Sequence, residues 1–417
     1  MTTSESTLDP ARTVAELKEL RALTGDENGA QRVAWTETWA KARAWMRAKL
    51  ADLPVEVATD EAGNVWATLR GASERELLIG GHIDSVPNGG WLDGCLNLVA
   101  GLEVLRRLSA QGTPPVTVRL VDWADEEGAR FGRSLFGSSA TSGYFDPEEL
   151  AELRDRDGIA LPDAVGAFGV DLRTARLAGR QLARAGAYLE LHIEQGPVLE
   201  SMGLPLGVVL GTFGVERNRV IWRGQAAHSG STPMDKRRDA LAGAAKLALH
   251  IRDIAREVGD GAVCTSGGVV CRPGIVTSVV ETAEQLLDQR HLDAGQLARM
   301  LALAKAASQR FAAEEQISVE WEPLWRIDPI PFHPELIALC DEAILETCGV
   351  SHRLPSGPLH DAAEVARAGV PTIMLFVQSL RGISHNKIED TLEQHIELSV
   401  QALDRLADKA IAWVAAR

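Results

Sequence analysis

Apolar and polar positions follow two rhythms along this chain. Helical spacing marks TVAELKELRAL and ETWAKARAWMRAKLADL near the start. Short apolar runs follow, VEVATD, NVWATL, ELLIGGH and VTVRLVDWA, with the helical stretch NLVAGLEVLRRLSAQ between the last two. A strand-helix-strand unit of this kind predicts a mostly parallel sheet with its functional residues just beyond the strand ends. Near residue 208 the rhythm changes. GVVLGTFGVERNRVIWRG reads as a hairpin pair, DALAGAAKLALHIRDIAREVG and LDAGQLARMLALAKAASQRFA as helices, and ISVEWEPL as a closing strand. Two strand-helix-strand groups of this size predict a small α/β sandwich inserted into the first domain. Alternation then resumes with ELIALCDEAILETC, VPTIMLFV and a last helix from LEQHIELSV onward. The expected fold is therefore α/β: a mixed, mostly parallel sheet in a discontinuous catalytic domain, residues 1–207 plus 327–417, with a smaller inserted domain at 208–326.

Bulk properties agree with two domains, because 417 residues exceed what one compact core usually supports. The composition, 45% hydrophobic and 24% charged, is that of a globular protein. A formal charge of −15 argues against nucleic acid and against anionic membranes as partners. Cys95, Cys264, Cys271, Cys340 and Cys348 are scattered and never spaced as CxxC, so neither a disulfide framework nor a thiolate zinc site is indicated. The N-terminus MTTSESTLDPARTVAELKEL lacks the basic and then apolar stretches of a secretory signal, and no run reaches about 18 apolar residues. A cytoplasmic location follows as the expectation.

Four segments carry candidate chemistry. GGHIDSVPNGGWLDG places His82 and Asp84 at the end of an apolar run and Asp93 in the loop beyond. A histidine there can ligate a metal while Asp84 orients its other ring nitrogen. VRLVDWADEEGARFG ends an apolar run in Asp125, Glu126 and Glu127, like charges that a cation or a proton must neutralise near low-dielectric walls. YLELHIEQGPVLE supplies His192 and Gln195, and VQSLRGISHNKIED supplies His385. Singly, each histidine reads as structural. Together, three histidines and at least two carboxylates sit just past predicted strands, which is what a site at the strand ends of an α/β sheet requires. Imidazole and carboxylate without thiolate suit zinc, with manganese, cobalt and nickel as alternatives, and a carboxylate can bridge two ions.

With these segments in hand, the chain resembles the M20 metallopeptidase superfamily, specifically its hydantoinase/carbamoylase branch of amidases, which includes N-carbamoyl-L-amino acid hydrolases, β-ureidopropionase and allantoate amidohydrolase. The resemblance keeps its order from about residue 13 to the C-terminus through DEAGNVWATLRG, GGHIDSVPNGGWLDG, DEEGARFGRSLFGS, LHIEQGPVLE, GQAAHSGSTPMDKRRDAL, LLDQR, LHDAAEVARAGVPTIMLF and GISHNKIE. It implies one ion held by His82 and His192, another by Glu127 and His385, Asp93 bridging, and Glu126 as general base. It also implies that the inserted domain is a lid and dimerisation domain, giving a homodimer with shared active sites. His228 of AHSG would enter the partner's site and Arg290 would grip the substrate carboxylate. Gln195 falls on a substrate-contact position, and His360 of LHDA falls near the metals.

The implied chemistry is metal-assisted hydrolysis: coordination lowers the pKa of water, Glu126 takes its proton, and His228 stabilises the oxyanion. The expected substrate is a small ureido or amide carboxylate, with an N-carbamoyl amino acid first and an aminoacylase or small-peptide substrate as the rival. A non-catalytic metal-dependent binding protein is a rival of another class, and the presence of Glu126 weighs against it. Two positions depart from the family pattern. Thr277 stands where an asparagine commonly helps hold the substrate carboxylate, so one hydroxyl replaces an amide. Trp91 replaces a frequently basic residue and is expected at the pocket wall.

Overall fold

The computed structural model describes residues 8–417, so the first seven residues of the polar N-terminal stretch lie outside the description. The chain divides into two compact units, one running to Leu210 and resuming at Phe332–Arg417, the other spanning Gly211–Pro331.

In the first unit the large sheet orders its strands Leu206–Thr212, Thr372–Val377, Ala185–Ile193, Glu76–His82, Thr117–Trp123, Val65–Leu69 and Glu56–Thr59, with Arg353–Ser356 pairing Leu206–Thr212 off this path. The sheet is mixed. Four adjacent strands, Thr372–Val377, Ala185–Ile193, Glu76–His82 and Thr117–Trp123, run parallel, and the pairings to Leu206–Thr212, Val65–Leu69 and Glu56–Thr59 are antiparallel. Glu76–His82, Thr117–Trp123 and Thr372–Val377 are buried along their whole length, as the apolar cores of the first and last of them lead one to expect, while Thr117–Trp123 carries Arg119 and Asp122 inside, paired with Glu76 and Arg43. Each fully buried Leu, Ile or Val there contributes roughly 1.5–3 kcal/mol.

Helices cover the sheet. Glu37–Leu50 starts where the Thr36 hydroxyl accepts the Trp39 N–H, a cap whose loss costs about 1 kcal/mol. Cys95–Ala110 connects Glu76–His82 to Thr117–Trp123 and packs on both, closing the strand-helix-strand unit that the sequence predicts. Pro334–Cys348 and Glu393–Ala415 pack together and complete the layer contributed by the C-terminal part of the chain.

The second unit is a four-stranded antiparallel sheet ordered Val263–Arg272, Thr282–His291, Gly214–Arg223 and Ser318–Ile327. Helices Ala240–Val258 and Ala294–Glu314, capped by Asp239 and Asp293, bury Leu247, Ile251, Met300 and Phe311 with Val220 and Trp222 of the sheet. The predicted hairpin over GVVLGTFGVERNRVIWRG does not form. Leu206–Thr212 pairs with Thr372–Val377, whereas Gly214–Arg223 pairs with Thr282–His291 and Ser318–Ile327. Only Phe213 separates the two strands, too short a link for the two-residue turn of a tight hairpin. Among the described residues, no helix is long and apolar enough to cross a membrane.

Candidate metal centre

The four parallel strands deliver donors at or beyond their C-terminal ends. His82 is the last residue of Glu76–His82, the acids from Asp125 follow Thr117–Trp123 closely, His192 lies near the end of Ala185–Ile193, and His385 stands in the loop after Thr372–Val377. Asp93 comes from the loop between His82 and helix Cys95–Ala110. Gly94, at φ +67°, lets that loop press on the imidazole, since a Cβ there would stand 2.2 Å from His82 Cε1.

Asp93 lies at the middle of the constellation. Its Oδ1 is 3.1 Å from His192 Nε2 and 3.7 Å from His82 Nε2, and its Oδ2 is 3.5 Å from His385 Nε2. Glu127 Oε2 is 3.3 Å from the same His385 nitrogen. Two donor sets result, His82 with Asp93 and His192, and Asp93 with Glu127 and His385, each with its donor atoms mutually within 4.8 Å. The first set is buried, while the His385 side chain is 52% exposed.

The imidazoles are oriented for ligation. His82 Nδ1 lies 3.2 Å from the carbonyl oxygen of Asp84, and His192 Nδ1 lies 2.9 Å from that of Ile193. A carbonyl only accepts, so in the neutral ring each Nδ1 carries the proton, leaving the Nε2 lone pair turned towards Asp93. Both Nε2 atoms and Glu127 Oε1 are buried without a hydrogen-bond partner. Orphaned donor atoms of this type, converging on one carboxylate, fit two divalent cations.

The three consecutive acids diverge. Asp125 accepts the Trp35 indole N–H at 2.7 Å, Glu126 Oε2 stands 3.7 Å from His82 Nε2, and Glu127 faces His385. Asp84 turns this loop, because its carboxylate accepts the backbone N–H of Glu126 at 3.3 Å and of Glu127 at 3.2 Å. Its carboxylate lies 3.5 Å from His82 Nδ1, farther than its own carbonyl, so the backbone more than the side chain orients that ring. Asp125, Gln195 and His385 all adopt left-handed backbone at φ 55°, 56° and 53°, a conformation non-glycine residues hold only when their surroundings over-determine it.

Charge is concentrated here. Burial, with the Asp361, Glu127 and Asp84 carboxylates, pushes Glu126 well above the usual range, and burial with Asp93 does the same to Glu127. Burial and Asp84 raise Asp125 to about 7. Burial opposes ionisation of Asp93, yet His192, His82 and His385 hold its carboxyl far below the ordinary value. Burial would lower His82, but Glu126, Asp84 and Asp93 hold it well above its usual value. A cation is the natural relief for such crowding.

Gln195 and His360 join the centre. Gln195 Nε2 donates to Asp93 Oδ2 at 2.8 Å. The His360 ring centroid is 4.3 Å from that of His192, its Nε2 is buried without a partner, and burial together with His192 lowers its pKa well below 6.5. Trp91 is buried, with its indole N–H on Asp390 Oδ1 at 3.2 Å, so it braces the loop of Asp93. The remaining candidates belong to the second unit. His228 is exposed, and its Nδ1 accepts the backbone N–H of Gly230 and Ser231, at 3.1 and 3.2 Å, which places the proton of its neutral form on Nε2. Thr277 is exposed and its carbonyl accepts the Ser229 N–H at 3.0 Å. Arg290 is half-buried and reaches Asp288 through Nε at 2.8 Å.

Sequence reasoning missed Ser384 and Glu389. Ser384 Oγ lies 2.8 Å from Asp93 Oδ2, and Glu389 accepts the Asp93 N–H at 3.1 Å. The only available signal was proximity to His385, because KIED reads as an ordinary charged surface.

A family model described as peptidase family M20/M25/M40 matches residues 78–409. The chain is 34% identical to an allantoate amidohydrolase of Escherichia coli K12, over 87% of this chain and 88% of that protein. It is 33% identical to an N-carbamoyl-L-amino acid amidohydrolase of Geobacillus stearothermophilus, over 90% and 92% respectively. A crystal structure of a hydantoinase/carbamoylase family amidase from Burkholderia multivorans superposes with a TM-score of 0.87 at 30% identity, covering 98% of each chain.

Proposed function

The chain belongs to peptidase family M20/M25/M40, and from that premise we propose that it is a two-metal enzyme cleaving the C–N bond of an N-carbamoyl amino acid or a related ureido acid. It is an amidohydrolase of the carbamoylase and allantoate amidohydrolase type. The observation that carries the metal part is Asp93, whose two oxygens face two different donor sets. His82, Asp93 and His192 would hold one divalent ion, and Asp93, Glu127 and His385 the other. Zinc is the default for imidazole and carboxylate ligands, with manganese, cobalt and nickel as alternatives. Bound there, the ions would polarise the scissile carbonyl and acidify water.

Glu126 is the proposed general base. It is buried next to the first donor set, 3.7 Å from His82 Nε2, and its raised pKa suits a group that takes a proton from water and returns it to the departing nitrogen. Asp84 orients the acid loop through the Glu126 and Glu127 amides. Gln195 and His360 border the metals as substrate contacts. His228, supplied by a second copy of the chain, would donate from Nε2 to the developing oxyanion, and Arg290 would pair with the substrate carboxylate through its planar fork, with Thr277 beside it. This makes the protein a homodimer with shared sites in which the inserted unit acts as lid. A small-molecule substrate and a cytoplasmic setting complete the proposal, and the acidic net charge weighs against nucleic acid and anionic membranes as partners.

The experiment is a panel of N-carbamoyl, N-acyl, dipeptide and allantoate-like compounds, with metal-stripped protein reconstituted by single metals. Ammonia release from ureido acids, with N-acetyl and dipeptide substrates inert, is expected. The opposite pattern would make it an aminoacylase or peptidase on the same metals. Carboxylate binding without cleavage of any compound would make it a binding protein.

A further inference from the structure

The stretch Ser384 to Asp390 does more than carry His385. Glu389, only 2% exposed, is wrapped by the loop that bears Asp93. Its Oε1 accepts the N–H of Leu92 and of Asp93, each at 3.1 Å, and its Oε2 lies 2.9 Å from Ser384 Oγ. The fit requires glycine at residue 90, where a Cβ would fall 2.0 Å from Glu389 Cδ. Asp390 extends the clamp by accepting the Trp91 indole N–H.

The clamp is asymmetric with respect to Asp93. Oδ1 of Asp93 faces His192 and His82, at 3.1 and 3.7 Å. Oδ2 is the oxygen contacted by Ser384, at 2.8 Å, and it is the one facing His385. We propose that Glu389, acting through Ser384 and through the Leu92 and Asp93 amides, is a positioning residue that aims Asp93 Oδ2 and so governs the ion held by Asp93, Glu127 and His385. The ion at His82, Asp93 and His192 depends on it much less. This rests on the two-metal reading above.

The physical reason is that a carboxylate bridging two ions must present both oxygens in fixed directions. The His82 and His192 side is fixed by buried rings whose Nδ1 atoms are tied to backbone carbonyls. The other side relies on an exposed His385 ring, so its order comes from the groups that hold Oδ2. Loss of a residue that orients a metal ligand typically costs about 10- to 100-fold in metal affinity. Glutamine at 389 preserves the geometry, since its oxygen accepts both amides and its NH2 donates to Ser384 Oγ, leaving the serine proton for Asp93.

The test is isothermal titration of the metal-stripped full-length protein with Zn2+, with metal counted by elemental analysis. The parent should bind two ions. Glu389→Ala should weaken one of them by about tenfold or more, and leave the other within about threefold. Glu389→Gln should restore the parent isotherm, and Ser384→Ala should weaken the same ion by less. Combined with His385→Ala, Glu389→Ala should change nothing further in the remaining ion. Two ions bound by the alanine variant as tightly as by the parent, both weakened alike, or glutamine as damaging as alanine would overturn the proposal. A parent that binds fewer than two ions sinks the two-metal reading and this proposal with it. If Glu389→Ala does not fold, Ser384→Ala decides, because it removes one hydroxyl without opening the loop; an unchanged isotherm for it counts against the proposal.

Discussion

The two units treat their candidate residues in opposite ways. In the first, His82, Asp93, Glu126 and His192 are buried, and each is held by neighbours that are themselves held: carbonyls on the rings, amides on Asp84, Ser384 and Gln195 on Asp93. In the second, His228 and Thr277 are exposed, and Arg290 reaches Asp288, a carboxylate shared with Arg217. The difference matches the two tasks proposed for these residues. In the proposed reading, holding cations and moving a proton demands donors fixed within a fraction of an ångström, which a buried and cross-braced floor provides for all of them except the exposed His385. Gripping a substrate that must enter and leave is served by side chains on an accessible surface.

The largest expected effect lies in the buried region. Glu126→Gln should retain both ions by elemental analysis while lowering kcat by about 10²–10⁴-fold. Undiminished turnover would remove Glu126 from the chemistry and put the base elsewhere in the centre. Next comes the exposed region: His228→Ala should cost about 10²–10³-fold in kcat. If His228 serves a second copy, mixing His228→Ala with Asp93→Ala chains, each inactive alone, should restore about a quarter of parent activity, since half of random dimers are mixed and each has one complete site. No recovery on exchange would confine each site to a single chain.

Arg290→Lys should chiefly raise KM, by about tenfold or somewhat more, because a point charge replaces the planar fork. An unchanged saturation curve would leave Arg290 as an ion-pair partner of Asp288 and not a substrate contact. The smallest effect sharpens the electrostatic contrast. Asp125 keeps its proton up to about pH 7 in the folded chain but only to 3.8 in the reference state, and Glu389 to about 7 against 4.5. Between those values the folded state binds more protons, so stability falls as pH rises. His82 and His192, also raised, add to the fall above pH 6.5, and His360, lowered, opposes it below 6.5. Metal-stripped protein should therefore melt lower at pH 8 than at pH 5, and saturating zinc should flatten or reverse the slope because its ligands bind deprotonated. A slope indifferent to zinc would detach these groups from the metal.

Much of the site was legible because its residues stand at places that local pattern marks. His82 and the acids from Asp125 end or follow apolar runs, and a parallel sheet brings such ends to one edge whatever their separation in sequence. The hairpin expected around Phe213 failed because apolar spacing marks strands and not their partners. Pairing depends on which edges the rest of the chain leaves open.

What the sequence alone determined, then, was the α/β alternation, the strand ends that bear chemistry, and the residue types that can hold cations there. Only the tertiary structure decided direction. Asp125, Glu126 and Glu127 are adjacent in sequence yet turn to Trp35, His82 and His385, and Asp93 presents one oxygen to each donor set. Glu389, which reads as surface charge, is buried against Gly90 in a loop some 300 residues earlier in the chain. Direction of this kind arises from backbone amides, left-handed turns and the room a missing Cβ leaves, and those exist only once distant segments have packed.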